Sequence, residues 1–198
     1  MSEIEQMMAD RGKRPMSYTL KKTIVLVGMM GAGKTAVGRA LAQRLGVSFL
    51  DSDAEIEVAA NRTVPEIFER DGEPFFRTKE TQIIERLLAE KRCVLSTGGG
   101  AFLSEQNRMN ISGKGISVWL DADLELLWNR VRNKDTRPLL RTPNPKSTLQ
   151  DIYDQRVPTY ALADMTVVSE EEYSIEDMVD RVVEALTTRP DVLEMHNA

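Results

Sequence analysis

The chain reads as a three-layer α/β domain, a five-stranded parallel sheet with helices on both faces. Three observations predict it. From residue 23 onward, short β-branched apolar runs alternate with segments of helical period. The first of these runs, Thr23–Val27, passes through a glycine-rich turn straight into a helical segment. At 198 residues, with 41% hydrophobic and 29% charged side chains, the chain can also bury one substantial core.

The elements follow in order. Thr23–Val27 has the continuous apolar character of a buried parallel strand. In the segment after the turn, Val37, Leu41 and Leu45 recur at helical spacing, and Gly46 marks its end. Val47–Leu50 is the second strand. Thr63-Val64-Pro65-Glu66 is a capping box with proline in the first turn, so a helix starts there. A further helix is expected from about Pro74 to Glu90, with Phe76, Ile83, Leu87 and Leu88 on its apolar stripe. Arg92–Ser96 and Gly115–Leu120 are the third and fourth strands, and Asp121 caps a helix running to Val131. Residues 132–146 are rich in proline and basic side chains without a sustained period, as a charged lid over a phosphate site would be. Ser147-Thr148-Leu149-Gln150 caps the next helix, which Pro158 interrupts or kinks. Met165–Val168 is the fifth strand, and Ser174 opens the last helix. Residues 1–20 read as a polar, flexible extension with a short basic patch at Arg11-Gly12-Lys13-Arg14-Pro15, and residues 190–198 as a flexible tail.

Composition narrows the chemistry. A net charge of −5 and a pI near 5.1 leave no global basic field for nucleic acid or an anionic membrane, so any anionic ligand must be held by locally placed arginines. Cys93 is the single cysteine and sits in an apolar run, which suits a reducing compartment and a small buried hydrophobe. His196, the single histidine, reads as solvated tail. Zinc sites and histidine-dependent triads are thereby excluded. The acidic start lacks the basic head and apolar stretch of a signal peptide, and no apolar run reaches the length of a membrane span. A cytoplasmic monomer is expected.

Gly28-Met-Met-Gly-Ala-Gly33-Lys34-Thr35 fits G-x-x-x-x-G-K-[ST] between a strand and a helix start. Main-chain N–H groups there converge on a triphosphate, Lys34 reaches its outer phosphates and the Thr35 hydroxyl sits on Mg²⁺. Asp51 and Asp53, two apart at the end of a strand, face one way at the sheet's C-terminal edge. One could organise Mg²⁺ and its waters and the other accept a proton from a hydroxyl; both could equally cap the following helix. Thr97-Gly98-Gly99-Gly100 after the third strand suits close approach of a ligand to main chain, or a plain turn. Arg77, behind Phe75-Phe76, and Arg156 could clamp a carboxylate if they converge, whereas singly each would be surface charge. Arg137-Pro138 offers a lid cation for transferring phosphate.

Over residues 22–187 these features, in this order, resemble the shikimate kinase family: a phosphate loop, an Asp-x-Asp, a Phe-Arg, a triple glycine, an Arg-Pro-Leu-Leu and an Arg-x-Pro-x-Tyr. The resemblance implies a P-loop NTPase fold with a helical substrate-binding insertion over residues 53–90 and a mobile lid over 132–146, within a domain of residues 21–189. It implies ATP held by Gly31, Ala32, Gly33, Lys34, Thr35 and Ala36, with Arg130 on adenine. Thr35 would ligate Mg²⁺, with Asp51 in its water shell. Asp53 would bind a hydroxyl of shikimate and act as base. Arg77 and Arg156 would grip the acceptor's carboxylate over Gly98, Gly99 and Gly100, and Arg137 would bridge the two substrates. Lys34, Asp53 and Arg137 are thus the expected catalytic set. Gluconate kinase, another small-molecule kinase of this architecture, and a non-catalytic ATP-binding module are the alternatives. Ser169–Tyr173 matches no motif.

Overall fold

The computed structural model describes residues 17–134 and 138–196. Five strands form a parallel sheet in the order β3-β4-β2-β5-β6: β2 (Thr23–Val27), β3 (Ser48–Asp51), β4 (Cys93–Ser96), β5 (Gly115–Ala122) and β6 (Met165–Ser169). All five expected strands are present, within two residues at each end. β2 is buried throughout and lies between β4 and β5. The chain crosses to opposite sides of β2 before forming those two neighbours. The crevice beyond the C-terminal end of β2 is therefore the switch point where open α/β sheets take ligands.

Helix α1 (Lys34–Leu45) lays Val37, Leu41 and Leu45 into the core as their spacing requires, and Gly46 ends it in the left-handed conformation (φ 65°). After α2 (Ser52–Ala60), Thr63 opens α3 (Val64–Ala89) with the expected reciprocal capping box. The two helices foreseen in this stretch are the halves of α3, joined at Gly72, whose φ of 80° and ψ of 170° break the helix just before Glu73-Pro74. Helix α4 (Glu105–Lys114) leads into β5. There Gly115 is packed so tightly that a Cβ on it would lie 2.7 Å from the Thr23 carbonyl oxygen and 3.3 Å from Leu88 Cδ2. Gly115→Ala is accordingly expected to wedge β5 from β2 and cost about 1–3 kcal/mol. Thermal unfolding checks this, since an unchanged midpoint would mean that the sheet yields there without loss.

Three local expectations are corrected. Asp121 does not cap a helix; it continues β5, and Asp123 caps α5 (Leu124–Val131) by accepting the Leu126 N–H at 2.8 Å. Helix α6 (Pro145–Tyr160) starts at Pro145 rather than at Ser147, because proline is preset for the first helical position. Pro158 falls in its last turn and does not end it early. The third correction concerns the termini. Ser17–Leu20 (β1) pairs antiparallel with Leu193–His196 (β7), which follows α7 (Ile175–Thr187), so residues 17–20 and 193–196 form an ordered ribbon rather than free ends. His196 is no solvated tail: it pairs with Ser17, and its Nε2 lies 2.9 Å from Thr19 Oγ1. Ion pairs Lys22–Asp191 (2.9 Å) and Lys21–Glu194 (2.8 Å) fasten the ribbon. Among the described residues no helix is long and apolar enough to cross a membrane.

Candidate active site

Two adjoining cavities open beyond the C-terminal edge of the sheet. The larger, about 580 Å³, is lined by Gly31–Val37 of the loop and α1, by Asp51 and Asp53, by Ser96–Gly99 and by Arg130. Its shape begins in backbone chemistry. Gly31 and Gly33 sit at φ 84° and 92°, which turns the loop so that main-chain N–H groups face inward at the start of α1. The Lys34 ammonium is held at the loop's mouth by the carbonyls of Gly28 (2.7 Å) and Met29 (2.9 Å). Arg130, on the last turn of α5, donates to the Gly31 carbonyl (3.4 Å) and the Ser169 hydroxyl (3.3 Å), which places its guanidinium at the far wall; burial lowers its pKa.

Asp51 and Asp53 divide their work. Asp51 Oδ1 accepts the N–H groups of Asp53 (3.0 Å) and Ala54 (3.3 Å), so it does cap α2, while its Oδ2 takes no part in the cap. Asp53 lies in both cavities, half-buried, and its Oδ1 has no hydrogen-bond partner among the described residues. Burial, with the Asp51 carboxylate beside it, pushes its pKa up to about 6; Lys34 and Arg77 pull the other way. An orphaned acceptor of this kind is costly unless a ligand hydroxyl completes it.

The smaller cavity, about 190 Å³, is lined by Met30, Asp53, Phe76, Arg77, Glu80, Gly98–Gly100, Leu139 and Arg156 among others. Its floor is the triple glycine, and each glycine faces one polar head. A Cβ on Gly98 would lie 2.8 Å from Asp53 Oδ1, one on Gly99 3.2 Å from Arg156 Nη1, and one on Gly100 2.5 Å from Arg77 Nη2. Successive Cα atoms are about 3.8 Å apart, so a carboxylate and two guanidinium groups line up within the length of one small hydroxy acid. A side chain at Gly98 or Gly100 would push Asp53 or Arg77 out of its present position, which explains the glycines better than a plain turn does.

Arg77 leaves the buried ring of Phe76, 5.2 Å from its guanidinium carbon, and is held by Glu80 (Nη1–Oε2 2.9 Å) and Glu73. Burial by itself would lower its pKa, but the two carboxylates outweigh that and raise it. Burial also raises Glu80, against the pull of Arg77. Tyr160, buried at the end of α6, donates to the Gly99 carbonyl and is hydrogen-bonded to Arg156, joining that helix to the floor.

The structure thus brings together Lys34, Thr35, Asp51, Asp53, Arg77, Gly98, Gly99, Gly100, Arg130 and Arg156. Arg137 lies outside the described residues; Pro138 and Leu139, which follow it in the chain, line the smaller cavity. Sequence reasoning missed Glu80, gave Tyr160 no role beyond its place in the Arg-x-Pro-x-Tyr pattern, and found no motif in the Ser169–Tyr173 stretch that closes the larger cavity. Glu80 stands three residues after Arg77 on a helix, a spacing that could have drawn attention to it. Nothing local marks Tyr173. For a divalent cation, Thr35 and Asp51 supply oxygen donors in the larger cavity, and no group of three or more His, Cys, Asp or Glu side chains among the described residues could hold one alone. That suits Mg²⁺, which keeps its waters and leans on substrate phosphates.

Known proteins of similar sequence and fold fall in one family. The family model described as Shikimate kinase matches residues 30–187. A shikimate kinase of Ruegeria pomeroyi is 69% identical over 176 residues, covering 89% of this chain and 90% of the relative. One of Cereibacter sphaeroides is 64% identical over 181 residues, covering 91% and 90%. Among solved structures, a shikimate kinase from Acinetobacter baumannii in complex with shikimate superposes with a TM-score of 0.79 at 41% identity, over 84% of this chain and 93% of that one.

Proposed function

The chain belongs to the shikimate kinase family, and from that membership we infer that it transfers the terminal phosphoryl group of ATP to the 3-hydroxyl of shikimate, giving 3-phosphoshikimate and ADP. The observation that carries the assignment is the triple-glycine floor, over which Asp53, Arg156 and Arg77 stand in succession beside the nucleotide cavity. The two guanidinium groups hold the acceptor's carboxylate, and the far end of the ring meets Asp53. There the attacking hydroxyl gives its proton to the unpartnered carboxylate oxygen as the new O–P bond forms and ADP departs. Lys34 and the loop N–H groups hold the charge on the phosphates, and Arg130 packs against the base. Thr35 and Asp51 are the residues that would hold Mg²⁺, which would supply charge neutralisation for the phosphates.

Residues 53–90 are assigned as the acceptor-binding region and 132–146 as the lid of a domain that includes the β1–β7 ribbon at its ends. Arg137 is assigned the bridging role on the family pattern alone. A cytoplasmic monomer is the state we assign, in keeping with the single buried thiol of Cys93. Gluconate has no rigid ring to span Asp53 and both arginines, and a module that only senses ATP has no use for this floor.

A coupled ADP-release assay against shikimate, gluconate and nucleoside monophosphates tests the assignment. Turnover is expected with shikimate alone, and equal ATP loss with and without it would defeat the kinase reading. Arg77→Ala is expected to raise KM for shikimate roughly ten- to a hundredfold, the worth of one charge-assisted paired contact. KM for ATP should hold, and an unchanged KM for shikimate would remove Arg77 from the clamp.

A further inference from the structure

Acceptor binding by Arg77 alone does not explain the break in α3 at Gly72. It sits five residues before Arg77 and immediately before Glu73, whose carboxylate is largely exposed (62%) yet is drawn back onto the guanidinium. Glu73 Oε1 accepts from both Nε (3.2 Å) and Nη2 (3.1 Å), which occupies one side of the fork. Glu80 takes a proton of Nη1 from below. What remains is the outer end of the fork, between Nη1 and Nη2, and that end faces the floor: a Cβ on Gly100 would lie 2.5 Å from Nη2 and 2.7 Å from Nη1.

We propose that Glu73 is a positioning residue for the acceptor's carboxylate, which rests on Arg77 binding that carboxylate. Set by the break at Gly72, Glu73 clasps the Nε side of Arg77 so that the Nη1–Nη2 end is presented over Gly100. The physical basis is preorganisation. An arginine free to rotate must be ordered when its ligand arrives, whereas a guanidinium gripped on two sides has already lost that freedom. An unbroken helix would carry Glu73 on a different heading, and a φ of 80° with an extended ψ is a conformation that only glycine holds without strain. The device serves selectivity for a planar carboxylate and leaves phosphoryl transfer untouched.

Steady-state kinetics with shikimate and with its carboxamide, on the wild type, Glu73→Gln, Gly72→Ala and Arg77→Ala, test this. Glu73→Gln is expected to raise KM for shikimate roughly two- to fivefold, the span of a partly exposed ion pair, with kcat and KM for ATP essentially unchanged. The penalty should vanish with the carboxamide, and Gly72→Ala should act in the same direction. An unchanged or lowered KM for shikimate in Glu73→Gln, or an equal penalty on the carboxamide, overturns the proposal while Arg77→Ala still raises KM. If Arg77→Ala leaves KM for shikimate alone, the carboxylate clamp itself fails, and this inference with it.

Discussion

Replacing Lys34 by alanine is expected to lower kcat by about a thousandfold or more. In phosphoryl transfer the protein makes no covalent bond to the phosphorus; it positions the groups and balances charge. Lys34, Arg130 and Lys134 all line the larger cavity, but Arg130 is engaged with the Gly31 carbonyl and Ser169 at the far wall, and Lys134 lies beyond the end of α5. Lys34 is the cation rooted in the loop itself, at the first turn of α1, with its ammonium at the loop's mouth. Lys34→Arg should rescue little, since a planar fork cannot replace a compact ammonium between two carbonyls and a phosphate. The fold should survive the alanine change, because the carbonyls of Gly28 and Met29 lose one donor at a cost of about 1 kcal/mol. Single-turnover kinetics on protein with an unaltered unfolding midpoint checks the pair of claims. A near-normal kcat would falsify the role.

Asp53→Asn is expected to do two opposite things. Turnover should fall by about a hundredfold or more, because an amide cannot take the hydroxyl's proton, while KM for shikimate changes much less. At the same time the ligand-free, magnesium-free protein should become more stable at pH 8. The sign follows from linkage. The folded protein holds the Asp53 proton up to about pH 6, against an ordinary value of 3.8. Stability is therefore lost as pH rises from below the ordinary value through about 6. Above that, the buried charge costs up to about 3 kcal/mol. Asparagine carries no such charge, so the variant's gain in unfolding midpoint should be full at pH 8 and fade below pH 4. A midpoint at pH 8 that matches or lies below the wild type would show that the carboxylate is not penalised by its site. A kcat that falls less than KM rises would leave Asp53 as a binding contact.

These two residues also show how unevenly the site could be read. Lys34 is legible because its chemistry is local: strand, loop and helix start are contiguous, and the spacing of glycines to lysine is itself the geometry. The pair Asp51 and Asp53 was legible as a pair, but its division of labour was not. Which carboxylate caps α2 and which is left without a partner depends on β3 lying beside β4, so that Gly98 walls in Asp53. Glu80 looked like an ordinary helix residue, and Tyr160 was only the end of a pattern with no role attached, because the importance of both lies in what other elements bring to them. The β1–β7 ribbon escaped notice for a related reason. Its strands are four residues long, half-exposed and 177 positions apart at the Thr19–His196 contact, so no apolar period marks either one.

From its residues alone this chain was bound to make a parallel sheet with a phosphate-holding loop at its first central strand, because periodicity, caps and glycine spacing act over a few neighbouring positions. The grouping around the smaller cavity was decided only by tertiary structure. Arg77, Gly100 and Arg156 come from three separate elements, and strand order and the break at Gly72 bring their groups around one small cavity. Side chains so far apart in the chain carry no mutual signal until the backbone places them, since a charge attracts its partner only over the few ångströms that folding provides.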